Sequence, residues 1–249
     1  MSGHSKWSTI KRKKEATDQK RSKMFAKLLR AIEVAAREGG GSVDGNMTLA
    51  SAVEKAREAS VPNDNIERAI KRGAGELEGA RYEEDTYEGY GPGGVAVLVE
   101  ALTDNRNRTG QEIRHIFTKQ GGSMGDPGSV AWMFQRRGVI LVEKESAPDE
   151  ERLLDIALEA GADDLADQES HWEITTEPSG FRVVSDALKA AGVNVVSAEI
   201  TMQPNVSVPV RGSQARSVLN LIDALEDNDD VQDVYANFDI PEDVLAEVG

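Results

Sequence analysis

The hydrophobic periodicity of this chain changes once, between about residues 73 and 94, and that change limits what it can fold into. Before it, apolar residues recur at helical spacing; after it, strand-length apolar runs alternate with amphipathic helices. Over residues 17–38, Met24, Phe25, Leu28, Leu29, Ile32, Ala35 and Ala36 fall within an arc of about 140° at ~100° per residue. Lys20, Lys23, Lys27, Arg30 and Arg37 fall opposite, and only Arg21 breaks the segregation. This predicts a helix that docks one face and presents a basic stripe outward, ended by Gly39-Gly40-Gly41. A second helix is expected over 47–59, with Leu49, Val53 and Ala56 inward. A third, capped by Asn63 or Asp64, carries Ile66, Ala69 and Ile70 before Gly73.

Residues 73–94, GAGELEGARYEEDTYEGYGPGG, read as a linker with one short edge strand near Tyr82. Strand 95–101, helix 105–120 and the loop GGSMGDPGS follow. Residues 130–134 and 139–143 then flank Gln135-Arg136-Arg137-Gly138 as an expected hairpin. Helices are expected over 149–160, 179–191 and 213–226, and strands over 171–176, 193–202, 206–210 and 231–238. The fold class is α+β, with three domains. Residues 1–78 form a basic arm and helical domain. Residues 79–145 plus 205–249 form a ferredoxin-like βαββαβ domain, interrupted by an inserted α+β domain over 146–204, with Pro148 and Pro204 at the crossings.

Charge is distributed as unevenly as periodicity. The 249 residues hold 29 basic and 44 acidic side chains, a net −15. The first 30 residues carry ten cations against two acids, a local +8, so the remainder carries −23. A basic arm on an acidic body points to nucleic-acid contact at one end only. With no cysteine there is no disulfide, thiolate nucleophile or Cys-ligated metal. The three histidines, His4, His115 and His171, have no partner at ligand spacing. Acid runs such as Asp163-Asp164 and 226–230 read as solvated helix ends and turns, and no nucleophile-elbow, HExxH or EF-hand pattern occurs. The expectation is a non-enzymatic protein without cofactor or metal. No apolar run reaches the ~18 residues of a membrane span, and the first residues lack the apolar core of a signal peptide. A soluble cytoplasmic protein is expected.

The arm GHSKWSTIKRKK carries the strongest chemical signal. Lys6, Lys11, Arg12, Lys13 and Lys14, backed by Lys20, Arg21, Lys23, Lys27 and Arg30, are suited to neutralising phosphates and releasing counterions. Trp7 among them is placed to stack on an unpaired base, worth ~1–3 kcal/mol. The competing reading is a solvated tail with Trp7 tucked against the helical domain. The turn Asp104-Asn105-Arg106-Asn107-Arg108-Thr109 also admits two readings. Asn105, Arg106 and Arg108 bind phosphate at a helix N-terminus, or Asp104 or Asn105 caps the helix while the arginines form surface ion pairs.

In order, GHSKWSTIKRKK, KRSKMFAKLLRAIEVAAREGGG, PNDNIERAIKRGAG, YEGYGPGGVAVLVEALTDNRNRT and GGSMGDPGSVAWMFQRRGVI resemble the YebC family, which includes a mitochondrial translational activator. The match is dense from Gly3 to about Ile140 and weaker beyond. The resemblance implies a helical domain and two α+β domains, the last inserted in the second. Members are commonly named transcriptional regulatory proteins that bind DNA; some are ribosome-associated translation factors easing synthesis through proline-rich stretches. It also implies nucleic-acid contact at His4 together with Lys6, Trp7, Lys11 to Lys14, Lys20, Arg21, Lys23 and Lys27. Between DNA and ribosomal RNA, the chemistry leans to RNA. The basic helix offers few Asn or Gln side chains to read bases, and a −23 body is repelled by a long duplex. A thin basic arm in folded RNA, with the acidic domains facing basic ribosomal proteins, avoids that conflict.

Overall fold

The computed structural model describes residues 18–168 and 170–240. The described residues divide into two compact units, one of 18–130 with 211–234 and the other of 131–210 with 235–240.

The first unit begins with three helices, α1 (Asp18–Gly39), α2 (Met47–Glu58) and α3 (Asn63–Gly73). Ile32, Leu49, Val53, Ile66 and Ala69 are buried between them, as the 3.6-residue spacing predicts. Asn46 joins two of the helices. Its side-chain oxygen accepts from Leu49 N–H (3.1 Å) at the start of α2, and its amide donates to the carbonyls of Ala35 (2.8 Å) and Gly40 (2.9 Å). One buried side chain thus satisfies orphan backbone groups at a helix start and a helix end. The α3 cap differs from expectation. Pro62 precedes the helix with no side-chain cap, so Asn63 and Asp64 lie inside the first turn. Gly73 lets α3 approach α1 closely, since a Cβ there would sit 2.3 Å from the Glu33 carbonyl oxygen and 2.7 Å from the Ala36 methyl. Beside it, Arg72 Nε donates to buried Glu33 (2.6 Å).

The rest of this unit is a sheet built from β1 (Glu83–Tyr90), β2 (Ala96–Thr103), β3 (Ser123–Met124) and β9 (Val231–Ala236), in the order β3-β1-β2-β9. Helices α4 (Arg106–Lys119) and α7 (Gly212–Glu226) bury Ile113, Phe117, Leu221, Ile222 and Leu225 in its core. The acid-rich stretch expected to be mainly linker is therefore an eight-residue strand, and it pairs with neighbours on both sides instead of forming an edge. Two features permit this. Buried Glu88 accepts from the N–H groups of Gly128 and Val130 (2.6 Å each), so its charge is spent on ordering the Gly-rich loop. Gly89 makes room for the ring of Phe117, which would lie 2.7 Å from a Cβ.

In the second unit β4 (Phe134–Glu143), α5 (Glu150–Glu159), β5 (Asp164–Asp167), β6 (His171–Thr176), α6 (Phe181–Ala190) and β7 (Val195–Pro204) follow one another as βαββαβ. The sheet order is β5-β6-β4-β7, antiparallel throughout, and Ile140, Trp172, Ile174, Leu153 and Leu188 form its core. The α+β class with an inserted domain stands, but the ferredoxin-like order belongs to the insert. Residues 134–143 are one strand, and no hairpin forms at Gln135–Gly138. Gly138, which looked like a turn residue, lies in mid-strand because a Cβ there would meet Thr176 Oγ1 at 2.5 Å and the Phe181 ring at 2.7 Å. The chain accordingly leaves the first sheet near residue 131, earlier than the expected 145. The short strands β8 (Val208–Pro209) and β10 (Phe238–Asp239) pair in parallel.

Gly73→Ala sets helix propensity, which favours alanine by up to about 1 kcal/mol, against a clash with a backbone carbonyl. The clash wins. We expect a net loss of about 1–3 kcal/mol in urea denaturation, and a raised midpoint would refute close packing at this position.

Candidate nucleic-acid interface

The arm candidates His4, Lys6, Trp7, Lys11, Arg12, Lys13 and Lys14 lie outside the described residues. The described candidates start on α1. Lys20 and Arg21, on its first turns, are exposed, and the Arg21 guanidinium lies 5.9 Å from the Phe25 ring centroid.

One turn further along, the stripe stops facing solvent. Lys23 Nζ donates to the Asp227 carbonyl (3.0 Å) and lies 3.5 Å from the Asp229 carboxylate. Lys27 donates to the Glu226 carbonyl (2.5 Å). Arg30 donates to the carbonyls of Leu102 (2.9 Å) and Asp229 (2.8 Å) and to the Asp230 carboxylate (3.0 Å), with its guanidinium 4.6 Å from the Tyr82 ring centroid. Arg37 donates to the Ala80 carbonyl (3.0 Å). The expectation of an outward stripe thus fails beyond Arg21. The physical reason is the C-terminal end of α7, whose orphan carbonyls and following acids form a concentrated negative site that the cations of α1 satisfy. Burial lowers the pKa of Lys27, and the charges of Glu226, Asp233 and Asp229 oppose that shift.

Asp230 is the centre of the cluster. It is only 5% exposed, yet it stays ionised. Burial alone would raise its pKa; hydrogen bonds from Thr109 (2.6 Å) and Arg108 (2.5 Å), with the charges of Arg108 and Arg30, hold it below the ordinary carboxylate value. The Thr103 and Thr109 hydroxyls lie 2.7 Å apart, and the Asp230 carbonyl accepts from Leu102 N–H (2.8 Å). The hydrogen bond and charge of Asp230 raise the Arg108 pKa further.

The Asn105 turn takes its capping form. The Asn105 side chain accepts from Arg108 N–H (3.1 Å) at the start of α4. Arg106 reaches the Glu84 carbonyl (2.9 Å) and the Glu83 carboxylate (3.2 Å), while Arg108 also pairs with Asp104 (3.0 Å). Between these groups lies an open pocket of about 470 Å³, walled by Lys23, Arg30, Arg108, Asp104, Glu112 and the turn 227–230. Sequence reasoning missed Asp230, Thr103 and Thr109, having read the 226–230 run as solvated. The available signal was the pairing of a run of acids after one helix with a row of cations on another.

Among the described residues, no group of three or more His, Cys, Asp or Glu side chains is placed to hold a metal ion. No described helix is long and apolar enough to cross a membrane.

These features define a class of protein: a basic helical module continuous with an α+β sheet into which a βαββαβ unit is inserted. The family model for the TACO1/YebC protein N-terminal domain matches residues 5–76, and that for the TACO1/YebC second and third domain matches residues 82–238. The chain belongs to the TACO1/YebC family. A relative from Rubrobacter xylanophilus, named "Probable transcriptional regulatory protein", is 59% identical over the whole of this chain and 99% of its own. A second with that name, from Pelotomaculum thermopropionicum, is 56% identical over 96% of this chain and 99% of its own. Among solved structures, a conserved hypothetical protein from Aquifex aeolicus shares 48% identity with a TM-score of 0.77, covering 90% of this chain and 92% of that one.

Asp230→Asn removes the charge that both arginines share, and should cost about 2–4 kcal/mol at neutral pH. Because the folded-state pKa is lowered, the carboxylate's contribution is present above the unfolded value near 4 and is lost as pH falls through the lower folded value. The stability gap between wild type and variant should therefore narrow below about pH 4. A gap unchanged down to pH 2 would contradict the assignment.

Proposed function

We propose that this protein is a non-enzymatic, nucleic-acid-binding regulator of gene expression that acts through its basic N-terminal region. The observation that carries the proposal is the concentration of ten cations in the first 30 residues of a chain whose remainder is net −23. The names of its relatives support a role in transcription regulation, for which binding DNA is the mode of action proposed. The contacting set comprises His4, Lys6, Trp7, Lys11, Arg12, Lys13 and Lys14 of the arm, with Lys20 and Arg21 on the exposed start of α1. Lys23, Lys27, Arg30, Arg106 and Arg108 have acceptors within the protein, and Asn105 accepts from Arg108 N–H; these six join that set only by exchanging those partners.

A second reading, a ribosome-associated translation factor contacting ribosomal RNA and easing synthesis through proline-rich stretches, is favoured by the same pairing. With Lys23, Lys27 and Arg30 of α1 turned to acceptors within the protein, the described cations of that helix form no broad duplex-binding face. The basic arm suits folded RNA, with the acidic domains toward basic ribosomal proteins. Either reading places the protein in the cytoplasm or wherever its nucleic acid resides.

Charge reversal of Lys11, Arg12, Lys13 and Lys14 to Glu should lower nucleic-acid affinity at least tenfold at moderate salt; unchanged binding would defeat both readings. Gradient sedimentation with ribosomes, combined with crosslink sequencing in cells, separates them. Ribosomal RNA crosslinks without promoter enrichment would defeat the transcription reading, and promoter crosslinks with no ribosome co-sedimentation would defeat the translation one.

A further inference from the structure

The row Lys23, Lys27, Arg30 has i, i+4, i+7 spacing and so lines one face of α1. That row is occupied. The carbonyls of Glu226, Asp227 and Asp229 accept one donor each from Lys27, Lys23 and Arg30, and the carboxylates of Asp229 and Asp230 lie beside them. Successive anionic or partly negative oxygens facing a row of cations are what a phosphate strand also provides. We propose that the turn 226–230 is an internal competitor for nucleic acid, a clasp that holds the basic row of α1 closed and opens from its outer end when phosphates replace it. This rests on the nucleic-acid reading above and adds to it the regulation of the same surface.

The clasp is graded. At its outer end Lys23 and Asp229 have side chains 40% and 74% exposed, where solvent and salt screen the pair and hold it weakly. At its inner end the side chains of Arg30 and Asp230 are 15% and 7% exposed, and Asp230 is further held by Arg108 and Thr109. Lys27 lies between, part-buried and facing Glu226, Asp233, Asp229 and Lys23. Phosphate oxygens can therefore take over Lys23 and then Lys27 while the Arg30–Asp230 joint keeps α1 on the sheet. The exchange trades one acceptor for another and leaves no cation unsatisfied, which keeps it reversible. The exposed cations Lys20 and Arg21 adjoin the opening end, so a strand held by them is led toward Lys23.

The test uses the full chain, a fluorescein-labelled RNA stem–loop and a DNA duplex, with affinity measured across a salt series. The clasp variant is Asp227→Asn with Asp229→Asn, both exposed, which removes the Lys23–Asp229 ion pair and the outer charge of the turn while leaving the Asp230 carboxylate in place. The control, Asp155→Asn with Glu159→Gln on α5, removes the same charge in the other unit. Urea midpoints confirm that both variants are folded. The clasp variant should bind at least one of the probes several-fold more tightly than the control. Its salt slope should be steeper by about 1–2, the increment for one or two further phosphates at ~0.7–0.9 each. Equal affinity and slope in the two variants would overturn the clasp while leaving the arm's binding intact. Absence of salt-dependent binding in wild type and both variants would instead remove the nucleic-acid reading, and the competition with it.

Discussion

One buried carboxylate organises the joint on which the first unit depends. Asp230 begins where the turn after α7 enters β9, and it gathers Arg30 from α1, Arg108 and Thr109 from α4 and, through the hydroxyl pair, Thr103 from the end of β2. A lone charge so placed would cost several kcal/mol and would be protonated instead. Two guanidinium groups and a hydroxyl remove that penalty and impose geometry, since each donor has to reach the same two oxygens. The helical module and the sheet are thereby held in one register, and the α1 row is aimed at the acidic turn.

That aim changes the meaning of the charge distribution. A net +8 over 30 residues and −23 over the remainder describe a polar arrangement along the chain, but the folded unit brings part of each pole together. The acids at 226–230 are not merely a solvated helix end. They complete the C-terminal carbonyls of α7 into a cation site, in accord with the negative end of a helix dipole. The cations that remain outward lie at the start of α1, adjoining the arm.

What the sequence disclosed follows from where its signals were local. The three N-terminal helices were legible because their apolar residues repeat every 3.6 positions and Gly39 to Gly41 mark an end. β1 was largely illegible because Glu83, Glu84, Asp85 and Glu88 suggest solvent, and only the later loop at 128–130 supplies the N–H groups that let Glu88 be buried. Gly138 misled for a related reason. A glycine in a strand marks close approach of another element, here Phe181 at the start of α6, and that partner is some forty residues away in sequence. The ferredoxin-like pattern was read correctly as present and assigned to the wrong segment, because the strand from Phe134 was split in two. At the candidate site, Lys23, Lys27 and Arg30 were legible as a row, but not the partner that occupies it, which lies about 200 positions downstream.

The pairing also bounds how strongly the protein can hold nucleic acid on the proposed function. Excluding the clasped row, the cations among the first 21 residues are Lys6, Lys11, Arg12, Lys13, Lys14, Lys20 and Arg21, seven in all. If each meets one phosphate, the salt slope is limited to about 5–6, with single strands at the lower end. A chain using Lys23 and Lys27 as well would exceed that limit by about 1–2. The slope therefore counts cations, and through them reports the state of the turn. A partner that engages only the arm leaves the Asp230 joint and both ends of the clasp untouched. A partner that follows α1 inward has to break contacts in order, Lys23 first and Lys27 next, up to the Arg30–Asp230 joint, so its affinity depends on displacing acceptors that the fold itself supplies. Discrimination between nucleic acids then rests on which of them presents phosphates along that row at the correct spacing, a matter of backbone shape and not of base sequence.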